Sequence, residues 1–106
     1  MSKYLLQASY SVEGTKGLLK DGGSKRLAAA RTLVESLGGA IEAFYYAFGE
    51  TDLVAIIDMP DPASAAAVSL AVGAAGGVSG KLTVLLSPSD IDQASKKSGR
   101  YTPPGR

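Results

Sequence analysis

Four aromatic side chains, Phe44, Tyr45, Tyr46 and Phe48, fall within one short stretch of the chain. Such a group can line a pocket for a flat, largely apolar molecule, with the tyrosine hydroxyls orienting it. It can equally pack at the core of an oligomer. A second group, Gly22, Gly23, Ser24, Lys25 and Arg26, places a hydroxyl and two cations at the start of an expected helix. Free N–H groups there can hold a phosphate or a carboxylate. The same residues also read as a helix break with a serine cap, and they match neither a P-loop nor a dinucleotide pattern. Asp52 and Asp58 flank an expected strand. In an extended chain they share a face but sit ~20 Å apart, too far to act as a pair in one active site. Asp52 reads as a turn residue bonding local backbone N–H groups, and Asp58 as a strand-end residue.

The chain has no cysteine and no histidine. Disulfides, thiolate metal sites, a cysteine nucleophile, a histidine-based serine triad and histidine-held metal or haem are therefore excluded. No loop clusters enough oxygens for Ca²⁺ or Mg²⁺, so no cofactor and no metal are expected. A net charge of +1 gives no global field favouring nucleic acid or a membrane surface. No apolar run approaches the ~18 residues that span a bilayer. The opening MSKYLLQASY lacks the apolar length and cleavage site of a signal peptide, so a cytoplasmic location is expected.

The elements that must position these groups are legible from period and punctuation. KYLLQASY, residues 3–10, reads as a strand. Ser11 caps a short helix to about Lys20, Gly22-Gly23 breaks it, and Ser24 caps a second helix with Leu27, Ala30, Val34 and Leu37 on one face. Gly38-Gly39 stops that helix. Strands follow at Ile41–Phe48 and Leu53–Asp58, joined by the turn Gly49-Glu50-Thr51-Asp52. Asp61 and Pro62 open an alanine-rich helix ending at Gly76-Gly77, whose small residues let it lie close to a sheet. Lys81–Leu86 is a fourth strand, and Ser87 with Asp90 forms a capping box for a last short helix. Residues 1–97 are expected to form a single domain and 98–106 an extended tail, with Tyr101 able to dock on a neighbouring subunit.

The order strand, helix, strand, strand, helix, strand implies two right-handed crossovers on the same side. The expected fold is α+β and ferredoxin-like, βαββαβ: a four-stranded antiparallel sheet with two helices on one face. The other face is then bare. Simple alternation puts Ile41, Ala43, Tyr45 and Ala47 on one side of the second strand and Phe44, Tyr46 and Phe48, with Glu42, on the other. Neither side reads as polar. Five large apolar side chains left in water forgo about 8–15 kcal/mol, comparable to a whole domain's stability of ~5–15 kcal/mol. The expected cover is a second copy, sheet against sheet, giving a homo-oligomer of at least two chains. The alternative is that the C-terminal helix folds back over the face.

The stretch KYLLQASYSVEGTKGLLKDGGSKRLAAARTLVESLGGAIEAFYYAFGETDLVAII resembles the GYD domain family, small bacterial and archaeal proteins. The likeness continues through the alanine-rich helix, LTVLLSPSDID and the ending YTPPG. In the family's namesake turn, Gly49 and Asp52 are kept and Thr51 stands where tyrosine is usual. The resemblance implies a ferredoxin-like, dimeric α/β-barrel architecture, often in larger assemblies, and it carries no established activity. Two function classes follow. One is a non-catalytic binding or assembly module, holding a small apolar or anionic ligand at the sheet–sheet interface. The other is a cofactor-independent oxygenase or isomerase, which needs a buried polar group with a shifted pKa; Glu42, Asp58 and the tyrosines are available.

Overall fold

The computed structural model describes residues 1–106. Four strands, β1 (Ser2–Tyr10), β2 (Ala40–Tyr46), β3 (Leu53–Met59) and β4 (Val78–Leu85), form one sheet. Their order is β2-β3-β1-β4, and every neighbouring pair is antiparallel. The fold class is α+β. β1 and β2 therefore run parallel with β3 between them, and β3 and β4 run parallel with β1 between them. The first crossover carries α1 (Val12–Asp21) and α2 (Gly23–Ser36), the second carries α3 (Pro62–Ala75), and α4 (Pro88–Ser95) follows β4.

Alternation is strict in the two central strands. Tyr4, Leu6 and Ala8 in β1 and Leu53, Ala55, Ile57 and Met59 in β3 are buried, and the residues between them are half-buried. Both main helices cover this side: Val34 of α2 and Ala65 and Val68 of α3 pack with Tyr4, Ile57 and Met59.

The edge strand β2 departs from simple alternation. Ile41 pairs with Ile57, but Ala43 pairs with the next residue along, Ile56, so Glu42 is an extra residue in a bulge. A one-residue insertion moves everything beyond it to the opposite face. Ile41, Phe44 and Tyr46 consequently share the helix side, and Ala43 and Tyr45 the open side. The strand also stops at Tyr46, short of the expected Phe48.

The open side is more polar than the hairpin alone suggests. Leu5, Ala43, Tyr45, Val54 and Ile56 form its apolar middle. At one end the Lys3 ammonium donates to Glu42 and to Asp58, each at 3.0 Å. Toward β4 the pairings of β1 bring up Gln7 with Lys81, Leu5 with Thr83 and Ser9 with Ser79. Within the hairpin the open side is apolar apart from Glu42 and Asp58 at one end, as expected; the sheet as a whole is more polar there because β1 and β4 set their polar residues on that side.

Helix ends follow local chemistry. The Ser11 hydroxyl accepts the Gly14 N–H at 3.1 Å, and the Ser11 N–H donates to the Gly77 carbonyl at 2.8 Å, tying the first crossover to the start of β4. This contact needs a bare backbone at Gly14, where a Cβ would collide with the Gly77 carbonyl. Gly14→Ala is expected to cost ~1–3 kcal/mol by overpacking and to lower the melting temperature by roughly 10 °C. Gly17→Ala, in the same helix with open space around it, should raise the temperature instead, because alanine is the better helix former. Thermal melts of the two variants check the pair, and equal shifts would remove the argument.

Ser24 does not cap α2. Gly22 ends α1 and starts α2 with φ +82°, and no side chain caps the second helix. A single glycine joins the two helices, so Ser24 already lies inside the first turn. Asp61 does cap α3, its carboxylate accepting the Ser64 N–H at 2.7 Å. The capping box of α4 is complete: the Ser87 hydroxyl accepts the Asp90 N–H at 3.1 Å, and the Asp90 carboxylate accepts the Ser87 N–H at 2.9 Å.

Every residue from Leu86 to Arg106 is exposed. The C-terminal helix does not fold back over the open face of its own sheet. It and the tail extend the molecule to 57 Å and raise the radius of gyration to 17.0 Å, against about 13 Å for a compact chain of this size.

Candidate functional site

A cleft of about 190 Å³ lies between α2, α3 and the helix side of the sheet. Leu6, Ala8, Leu53 and Ala55 line it from the sheet, and Phe44 and Val72 are among its other walls. Of its 19 lining residues 17 are hydrophobic, so water inside has few partners. The hollow has a sequence cause. At one end the longer Val34, Val68 and Ile57 line it and join the packed core with Tyr4. At the other end the inward positions are Ala29, Ala30, Ala71 and Ala75, which are too short to meet above Ala8 and Ala55. The expected close approach of α3 holds at Ala65 and Val68, both buried, and fails along its second half. The cleft reaches solvent at Ala29, Ala71 and Ala75, which are exposed.

One end of the cleft is polar. Tyr10 and Arg26 line it. Beside them the Tyr46 hydroxyl donates to the Gly23 carbonyl at 3.0 Å, and its ring stands edge-on to Phe44 with centroids 5.5 Å apart. Burial raises the Tyr10 hydroxyl above its ordinary pKa of 10; Tyr46 and Asp52 add to the rise, and the Arg26 cation opposes it. The phenol thus remains protonated at neutral pH. Arg26 and Lys25 share a single carboxylate, Asp21, at 3.7 and 3.9 Å. With Asp52, whose carboxylate lies on the Tyr10 N–H, two cations and two carboxylates surround this end, and Arg26 is the one of the four that lines the cleft.

The structure separates the aromatic group. Phe44 lines the cleft and Tyr46 stands at its polar end. Tyr45 lies on the opposite face, 70% exposed, and Phe48 lies past the end of β2, fully exposed. These four do not line one pocket, because the Glu42 bulge and the early end of β2 divide them. Within the glycine-rich group, Gly23 is half-buried beside the polar end of the cleft, Gly22 forms the helix junction, and Ser24, Lys25 and Arg26 are exposed, Arg26 reaching the cleft from the surface. Asp52 bonds across the sheet and not only within its turn: its carboxylate accepts the Tyr10 N–H at 2.8 Å, and its own N–H donates to the Ala8 carbonyl at 2.9 Å. With Gly49 at φ +127°, it fixes the hairpin turn against the end of β1. Asp58 and Glu42 are held by Lys3 on the open face. Sequence reasoning missed Tyr10 and the inward alanines; the signal available was alanine at successive core-facing positions of both α2 and α3.

These features define a class: a small α+β unit in which a helical layer on one face of an antiparallel sheet leaves an apolar cleft with an arginine and a tyrosine at one end. The chain belongs to the GYD domain family, whose model matches residues 4–95, from β1 through α4. No curated protein and no solved structure matches it. No helix is long and apolar enough to cross a membrane.

Proposed function

We propose that this is a non-catalytic binding module of ferredoxin-like plan that works as a homo-oligomer and holds a small apolar molecule beneath its helices. The observation that carries the binding reading is the cleft itself, an apolar hollow where a single core is normally close-packed. The strand order, with each β-α-β crossover split by a strand of the other, supports the ferredoxin-like plan. The ligand position differs from an interface pocket: it lies on the helix side, away from the face that a second copy would cover. Benzene, a neutral probe of suitable size, is expected at millimolar concentration to shift the amide NMR signals of Ala29, Ala30, Val72 and Ala75. If those signals stay fixed, the binding reading fails.

A second copy is the occupant that suits the open face. Tyr45 is exposed, and Leu5, Val54 and Ile56 are half-buried in the single chain, so covering them adds only part of the ~1.5–3 kcal/mol that full burial of each would contribute. The Lys3–Glu42–Asp58 corner carries one net negative charge and Lys81 one positive charge, so a twofold stacking can set each against its counterpart. An eight-residue helix such as α4 does not persist alone in water, which favours a neighbour for the exposed arm. Removing residues 98–106 should weaken the assembly, seen by light scattering as smaller species at micromolar concentration. Unchanged size and melting would argue against a role for the tail.

The enzymatic alternative, a cofactor-independent oxygenase or isomerase, gains less support. It calls for a buried polar group with a shifted pKa; no charged residue is buried, and Tyr10, half-buried with its hydroxyl pKa raised, is the candidate that comes nearest. Glu42 and Asp58, its carboxylate candidates, are occupied by Lys3 on the open face.

A further inference from the structure

We infer that the molecule held in the cleft is a small hydrophobic carboxylate, with its ring or chain among Leu6, Ala8, Phe44 and Val72 and its anionic head at Arg26 and Tyr10. The inference rests on the binding reading above and narrows it to a ligand class.

Size sets the first limit. A cavity of ~150 Å³ accepts benzene, so 190 Å³ accommodates a ring with one small substituent, about nine non-hydrogen atoms. Polarity sets the second. Nearly all of the lining is hydrocarbon, and the groups able to meet a charge, Arg26 and Tyr10, are both donors when the phenol is protonated. A one-ended lining suits a one-ended molecule.

The sign of the charge follows from the surroundings. No carboxylate lines the cleft. Asp52, close to Tyr10, has its carboxylate on the Tyr10 N–H. Asp21 lies 3.7 Å from Arg26, beyond hydrogen-bond range, so the guanidinium keeps donors for another anion. An ammonium head would meet a guanidinium whose charge Asp21 offsets only in part, since Lys25 shares that carboxylate. Phosphate is a poorer match than carboxylate. It carries more charge than a single guanidinium offsets and has no hydrocarbon part to fill the hollow. The planar fork of arginine pairs with a planar carboxylate.

Titrations of the full chain with benzoate, benzene and inorganic phosphate, followed by amide NMR, test the class. Benzoate is expected to bind with a Kd of roughly 0.1–1 mM, about fivefold more tightly than benzene, and phosphate should not shift the cleft signals. Arg26→Gln should weaken benzoate about fivefold and leave benzene within twofold. Lys25→Gln, which removes a neighbouring cation outside the cleft, should leave benzoate within twofold. Equal binding of benzoate and benzene would overturn the carboxylate inference and leave the binding reading standing. Equal losses in the Arg26 and Lys25 variants would also overturn it, since a diffuse field would then be the cause. Binding of phosphate as tight as that of benzoate would overturn it as well. If neither benzene nor benzoate binds, the cleft reading and the inference fall together.

Discussion

Ile56→Lys is expected to keep the protein as folded monomers if the open face is the oligomer contact proposed above. Ile56 lies near the middle of the open face, opposite Leu5 on one side and Ala43 on the other. Its neighbours along β3, Ala55 and Ile57, point to the helix side and are almost fully buried. The substitution therefore leaves the monomer's core untouched. Across a sheet–sheet contact it has two costs. Ile56 is half-buried in the single chain, and covering the remainder, about 1 kcal/mol, is lost. An ammonium must also be taken out of water without a partner, at several kcal/mol even after relaxation. Together these weaken association by about 4 kcal/mol or more, which is at least a thousandfold in Kd. Light scattering at micromolar concentration should report the single-chain mass, with circular dichroism unchanged. An assembly of unaltered mass would mean that the copies meet elsewhere, or not at all.

Ala71→Leu should make the protein more stable and abolish binding in the cleft. Ala71 lines the cleft from α3 where it opens to solvent. A longer side chain there has a hollow to enter, so the usual penalty for overpacking does not apply. Each added buried CH₂ contributes ~0.8 kcal/mol, and a net gain of ~1–2 kcal/mol corresponds to a rise in melting temperature on the order of 5–10 °C. Most substitutions destabilise, which makes a gain diagnostic of the hollow. Benzene should no longer shift the signals of Ala30 and Val72. A lower melting temperature together with retained binding would show that the space above Ala8 and Ala55 is not what the ligand uses.

Much of the frame could be read before the structure, because it is fixed by neighbours in sequence. Ser11, Asp61 and the Ser87–Asp90 pair cap where hydroxyl or carboxylate precedes a helical period, and Gly22, Gly38 and Gly76 end helices with positive φ. The two faces of β1 and β3 follow from alternation alone. What escaped depends on partners distant in sequence. The bulge at Glu42 leaves no mark, since Ile41 to Tyr46 offers hydrophobic residues in either register, and only pairing with β3 selects one. The cleft escaped for a related reason. Alanines on a helix permit a close approach, but Val34 and Val68 hold the two helices on the core, and the smaller residues beyond them leave space. Arg26 was recognisable as a cation at a helix start. That it reaches the end of an apolar hollow became visible only once Phe44 and Tyr46 were placed on the same side as α2.

The most direct test of the account is a search for intermolecular nuclear Overhauser effects between added benzoate and the methyl groups of the protein. The account predicts contacts from the ring protons to Leu6, Ala8 and Val72, beneath the helices. Contacts confined to Leu5, Val54 and Ile56 would put the ligand on the opposite face of the sheet and contradict it.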